Sequence, residues 1–324
     1  MVAVGIALLP QDRWSRARER WQRAEEYGFD HAWTYDHLAW RTLVDEPWFA
    51  TVPLLAAAAA VTERIGLGTW VASPNFRQPV PFAKDVMGLD DVSGGRFLLG
   101  LGAGGEGHDS TVAGPAITRG ERTRRFEEFV EVLDALLTRP RTDHAGTFYE
   151  VNDARMIPGT LAAPRVPFVL AANGPRTMAL AARFGDGWAT YGPSYATEDV
   201  PDDPAAAQEQ WWDGLAGMAR ALDAAEAAAG RGLRDTGGPG GEADEAVGAQ
   251  PRLRRYLSLD GAPVFSLTSV ELAAEGIERA AALGFDDVVV HWPRAEGIYA
   301  GSQRTLEQLV ERLPALQALP VAGR

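Results

Sequence analysis

Cysteine is absent from the 324 residues, which removes disulfides, thiolate nucleophiles, iron–sulfur clusters and Cys-ligated zinc together. Lysine is nearly absent too: Lys84 stands alone among 31 basic residues. Any Schiff-base chemistry would have to use it, yet Lys84 falls at the start of a helical stretch and not at a strand end, which argues against an aldolase-like barrel. Positive charge is also short. The 44 acidic residues leave a formal net charge of −13, and the isoelectric point lies near 4.9. Such a chain repels phosphate backbones and anionic membranes, and no local basic patch compensates, so neither nucleic acid nor membrane is expected as a partner. No run approaches ~20 uninterrupted apolar residues; the alanine-rich stretch at 54–61 stops at Thr62, Glu63 and Arg64. The first residues lack the basic start and small-residue cleavage site of a secretory leader, so they read as a first strand and the expected location is cytoplasmic. Among the histidines His31, His37, His108, His144 and His291, no pair has helical metal-site spacing, and no metal is expected.

Apolar residues make up 46% and aromatics 9% of the chain, enough for a large core. Short β-branched runs alternate with longer amphipathic stretches almost from end to end, the pattern of a parallel sheet wrapped in helices. Strands are expected at 2–8, 31–35, 65–71, 97–101, 168–171, 188–191, 253–259 and 287–291. Helices are expected at 14–27, 48–61, 79–92, 119–137, 176–184, 205–229, 269–283 and 302–316. This count predicts an α/β fold, a (β/α)₈ TIM barrel forming a single domain over residues 1–324. Three strands share a lead-in, Tyr27-Gly28-Phe29-Asp30, Phe184-Gly185-Asp186 and Leu283-Gly284-Phe285-Asp286, in which each glycine is expected to take the left-handed helix cap. Two insertions interrupt the alternation. Residues 103–118, after the fourth strand, are read as a loop walling an active site, and residues 230–248, after the sixth, as a mobile excursion or lid. A small hairpin is expected around Thr147-Phe148-Tyr149.

In such a barrel the strand tips converge on one mouth, so chemistry is sought just after each strand. After the second comes Tyr35-Asp36-His37-Leu38-Ala39-Trp40, joining a carboxylate, an imidazole that exchanges protons near neutral pH and an indole able to flank a planar ring. A capped turn with a half-buried histidine would look the same. After the third, Ala72-Ser73-Pro74-Asn75-Phe76-Arg77 is a proline-framed loop that can press backbone against a flat ring, or a plain connector. The fourth runs into Gly102-Ala103-Gly104-Gly105-Glu106-Gly107-His108; no helix opening directly behind it is expected, so it reads as a glycine wall with Glu106 or His108 facing substrate. After the fifth, Ala172-Asn173-Gly174-Pro175-Arg176-Thr177 enters a helix at once, and exposed amides at a helix start with Arg176 beside them suit a phosphate. The last strand ends in His291-Trp292, which can close a substrate pocket or simply pack.

These residues resemble the luciferase-like monooxygenase family of flavin- and deazaflavin-dependent oxidoreductases along nearly the whole chain. The resemblance rests on Trp33-Thr34-Tyr35-Asp36-His37, on Thr62 to Thr69, on Ser93-Gly94-Gly95-Arg96-Phe97 with its glycine strand, and on Gly174-Pro175-Arg176 followed by Gly185-Asp186-Gly187-Trp188. It implies a cofactor ring against Ala72, Ser73, Asn75, Ala103 and Gly104 and a phosphate on the turn at 172–177. It implies hydride transfer between coenzyme F420 and a small organic substrate, with His37, Glu106, Trp40 and Asp36 catalytic and His108, His291 and Trp292 around the substrate. An FMN-dependent monooxygenase and a non-catalytic flavin-binding relative are the alternatives. The lysines that sugar-phosphate dehydrogenases of the family use have no counterpart near Tyr191-Gly192-Pro193-Ser194-Tyr195. A homodimer is expected.

Overall fold

The computed structural model describes residues 1–105, 107–114, 117–231 and 250–323. Eight parallel strands close into a barrel: β1 (Ala3–Ala7), β2 (His31–Thr34), β3 (Gly66–Thr69), β4 (Phe97–Leu101), β7 (Phe168–Ala171), β8 (Gly187–Thr190), β9 (Arg254–Ser258) and β10 (Asp287–His291). Closure is direct, because β1 pairs with β2 on one side and with β10 on the other. Between them run α1 (Trp14–Glu26), α2 (Thr51–Ala59), α3 (Pro79–Ser93), α5 (Arg119–Thr138), α6 (Pro175–Phe184), α7 (Pro204–Ala228), α8 (Val270–Ala282) and α9 (Gln303–Gln317). The expected hairpin is present as β5 (Thr142–Ala145) against β6 (Glu150–Ala154).

Every expected strand falls on an observed one. The short helix α4 (His108–Val112) was not expected; one turn and a half is too brief to show a 3.6-residue period, and it gives the glycine segment a helix where none was read. The expected excursion at 230–248 falls, beyond Arg231, outside the described residues.

The glycine-aspartate lead-ins work as strand starters. Gly28 and Gly284, both at φ 84°, take the left-handed cap, and the amides after them bond back to Ala24 and Ala280. Gly185 corrects the expectation: it is extended, with φ −79°. Its missing side chain matters for space, since a Cβ there would lie 2.7 Å from the Ala181 carbonyl oxygen. The aspartates that follow share a role. Asp30, Asp186 and Asp286 each accept the backbone N–H of a neighbouring strand start, from Val4, Phe168 and Arg255, at 2.8–2.9 Å. A charge-assisted bond at each place holds an otherwise orphaned amide.

Two apolar clusters result. One lies between strands and helices; the other fills the barrel, where Trp33, Trp70 and Tyr256 pack with Val169 and Val289. Trp33 donates its indole N–H to His31 Nδ1 at 2.6 Å, and His31 Nε2 bonds Asp287 at 2.9 Å. The lower barrel is therefore plugged, and among the described residues the barrel interior opens at its carboxyl-end mouth. No described helix is long and apolar enough to cross a membrane.

Candidate functional site

A cavity of about 1560 Å³ opens at the carboxyl ends of the strands, larger than a drug-sized ligand needs. Its wall takes residues from the loops after β2, β3, β4, β7, β8 and β9, and from the segment after β10.

His37 reaches this wall because its loop is tied down on several sides. Thr51 Oγ1 at the start of α2 donates to the Tyr35 carbonyl at 2.8 Å, and the Trp48 indole to the His37 carbonyl at 2.8 Å. Asp109, in the first turn of α4, grips the loop from the other side: Oδ2 meets His37 Nδ1 at 2.5 Å and Oδ1 accepts the Leu38 amide at 2.7 Å. A carboxylate can only accept, so the imidazole carries its proton on Nδ1 and leaves Nε2 as the exchangeable position. Asp36 behaves differently. It is buried and accepts two bonds from the Arg77 guanidinium, at 2.8 and 2.6 Å, which join the loops after β2 and β3. It points away from the cavity and holds the loop.

The turn after β7 is equally built. Asn173 accepts from Thr190 Oγ1 at 2.8 Å and donates to the Gly192 carbonyl at 3.1 Å. Thr177 Oγ1 bonds the Gly174 carbonyl at 3.0 Å, and Pro175 fills a position needing no N–H. The first amides of α6 have no partner within the helix, and its dipole favours an anion there. Arg176 is paired with Glu127 of α5 in a two-pronged ion pair that raises the affinity of its guanidinium for the proton. An anion at this end would therefore rest on amides more than on Arg176, with Arg119 and Arg122 on the same wall.

The structure gathers His37, Trp40, Ser73, Ala103, Gly104, His108, Ala172, Asn173, Gly174, Pro175, Arg176 and Thr177 around this one cavity. Asp36, Ala72, Asn75, His291 and Trp292 are not on its wall. Ala72 continues the β3–β4 ladder through its amide to Gly100. Asn75 stands behind Gly104, where a Cβ would come 2.4 Å from its Nδ2, and accepts from Arg125 at 2.6 Å. Trp292 packs outside the barrel, parallel to Tyr27 with ring centroids 6.1 Å apart. His291 lies buried one layer below the wall. Glu106 is outside the described residues. The peptide between Trp70 and Val71, just before Ser73, is cis. Residues that sequence reasoning missed are Asp109, Tyr35, Asp260 and Tyr299. Asp109, at the end of the glycine segment, and Tyr35, in the loop after the second strand, had a local signal; Asp260 and Tyr299 had none.

Burial pushes the Tyr299 phenol up to about 12, although its bond to Tyr35 works the other way. Burial likewise raises Tyr35 well above the ordinary tyrosine value, with Tyr299 beside it adding to the effect. Both stay neutral hydroxyls over the physiological range. Among the described residues no group of three or more His, Asp or Glu could hold a metal ion.

A family model for luciferase-like monooxygenase matches residues 3–233. The chain is 31% identical over 324 aligned positions to an F420-dependent glucose-6-phosphate dehydrogenase of Beutenbergia cavernae, covering 90% of this chain and 91% of that one. It is 32% identical to a 4-hydroxyprotoasukamycin monooxygenase of Streptomyces nodosus subsp. asukaensis, over 62% of this chain and 54% of the relative. The solved coenzyme F420-dependent tetrahydromethanopterin reductase of Methanopyrus kandleri superposes with a TM-score of 0.68 at 16% identity, covering 95% of this chain and 96% of that one.

Proposed function

Because this chain belongs to the luciferase-like monooxygenase family and is an oxidoreductase, we propose that it transfers a hydride between coenzyme F420 and a small organic substrate. The observation that carries this reading is that His37, backed by Asp109, shares one cavity with the N-terminus of α6. The relative matched over 91% of its length is F420-dependent, which favours the deazaflavin over FMN. The residues fit such a group. Backbone amides at 174–177 suit its phosphate, and the small-residue wall at Ser73, Ala103 and Gly104 leaves room for a flat ring. When bound, the coenzyme supplies the two-electron carrier. The chain supplies position, exclusion of water and a proton at His37 Nε2, while Trp40 shapes the pocket beside it.

A second reading, an FMN-dependent monooxygenase, is favoured by the Streptomyces relative. Fluorescence titration with F420 and with FMN separates the two. Tighter F420 binding is expected, and tighter FMN binding would move the protein to the second reading. His37→Ala is expected to bind F420 normally and to turn over slower by a factor of about 10²–10⁴. Wild-type turnover in that variant would remove His37 from the chemistry.

A further inference from the structure

A second histidine–carboxylate pair lies beneath the same cavity and is wired to it. Asp260, after β9, accepts both the Nδ1–H and the backbone N–H of His291, at 2.8 and 2.7 Å, and its other oxygen accepts the Ser266 amide at 2.9 Å. His291 Nε2 meets the Tyr35 hydroxyl at 2.8 Å, and that hydroxyl meets the Tyr299 hydroxyl at 2.9 Å. Tyr35, Tyr299 and Asp260 are on the cavity wall, whereas His291 is fully buried.

The polarity of this chain follows from its inner end. An ionised carboxylate accepts only, so His291 donates from Nδ1 and, with the imidazole neutral, presents Nε2 as an acceptor. Tyr35 must then donate to His291, and Tyr299 must donate to Tyr35. Both hydroxyl protons are committed inward, which leaves the outermost oxygen, Tyr299 Oη, an acceptor toward the cavity. Its placement is enforced. Tyr299 adopts a left-handed backbone, φ 62°, uncommon for a bulky residue and typical of functional positions. Its ring lies 3.9 Å from the His291 ring at an interplanar angle of 12°, and 6.1 Å from that of Trp40 at 21°.

We infer that Tyr299 is a catalytic base of this cavity that takes the hydroxyl proton of an alcohol substrate, with Tyr35, His291 and Asp260 positioning it and receiving the charge. The inference rests on the hydride-transfer reading and names its substrate class. In balance, the C–H and O–H bonds of a carbinol break and C=O forms. The electron pair leaves as hydride to the oxidised deazaflavin. The proton moves to Tyr299 as the protons of Tyr299 and Tyr35 each advance one place, and it ends as an imidazolium at His291 against Asp260. Reduction of a carbonyl compound runs the same chain backwards. Reduction of a flavin-type ring also takes up a proton of its own, and His37 with Asp109 remains for that event.

Two measurements test this. In the cofactor-free protein, ¹⁵N NMR of histidine-labelled wild type is expected to show His291 neutral with the proton on Nδ1; a proton on Nε2 would overturn the polarity and the inference with it. In single-turnover reduction of bound F420 by 2-propanol, 2-butanol and cyclohexanol, Tyr299→Phe, which keeps the ring and its stacking, is expected to be slower by about 10²–10⁴ with F420 affinity within twofold of wild type. A rate within threefold of wild type overturns the role of Tyr299. F420 bound by wild type but reduced by none of the three alcohols overturns the substrate class and leaves the hydride-transfer reading standing. Failure of wild type to bind F420 overturns that reading and this inference together.

Discussion

Asp109→Asn isolates the contribution of the carboxylate that orients His37. In the native protein one side chain makes two charge-assisted bonds, 2.5 Å to His37 Nδ1 and 2.7 Å to the Leu38 amide. The substituted amide keeps an oxygen for Leu38, so that bond weakens but survives. The bond to His37 changes in kind. With no negative charge, the imidazolium formed when Nε2 takes a proton loses its counter-ion, and an amide N–H facing Nδ1 favours the opposite tautomer. A hydrogen bond to a charged group contributes about 1.5–3 kcal/mol, which corresponds to roughly 10- to 150-fold in rate. The pair is well sheltered, with side-chain exposures of 22% for His37 and 7% for Asp109, so solvent screening takes away little of this. The expected outcome is F420 affinity within about twofold of wild type and single-turnover reduction of bound F420, followed by stopped-flow absorbance, slowed by about 10²-fold. Equal rates would show that Asp109 only packs the α4 turn. A parallel loss of F420 binding would show that it builds the cofactor pocket instead.

Other consequences follow from the same contacts. Arg77→Ala leaves the Asp36 carboxylate, 2% exposed, without its two-pronged partner. A loss of about 3–5 kcal/mol in denaturant unfolding is expected, and a loss below about 0.5 kcal/mol would mean that the loop relaxes at no cost. Glu25 accepts the amides of Glu63, Arg64 and Ile65 at the entry to β3. Burial by itself would raise its carboxyl, but the three amides outweigh it and hold the group below its ordinary 4.5. A carboxyl lowered in the folded state contributes stability that is fully present above its unfolded value and disappears as the pH falls through the folded one. Glu25→Ala is therefore expected to cost about 1–3 kcal/mol at pH 7 and little near pH 3; an equal loss at both, read from urea midpoints, would contradict the assignment.

The barrel was legible because its information is local. Each strand is a short apolar run, three of them follow a glycine-aspartate lead-in, and the run and the glycine turn are both written within a few residues of chain. The turn at 172–177 was legible for the same reason, since a helix start preceded by Asn-Gly-Pro is a local arrangement. His37 could be named from its place after β2. Its partner could not: Asp109 lies 72 positions away, in a helix too short to leave a periodic trace. The chain from Tyr35 to His291 and Tyr299 spans 256 and 264 positions, and nothing near Tyr299 marks it as more than a loop aromatic. Asp36 and Trp292, read as site residues from adjacency, turn out to face other ways, because neighbours along a loop need not point to the same side.

Composition and alternation alone determined the class of this protein: a cysteine-free, acidic, αβ-alternating chain whose strand tips carry an imidazole and an anion turn. Those properties depend on residue type and short spacing, which sequence records in full. Tertiary structure decided which groups share a proton. Closing β1 onto both β2 and β10 brings the two ends of the chain together. That closure brings Tyr35 against His291 and Tyr299, while the order β2–β3–β4 sets Asp109 against His37. A hydrogen bond depends on a distance near 3 Å and on direction, and neither is written in the order of residues.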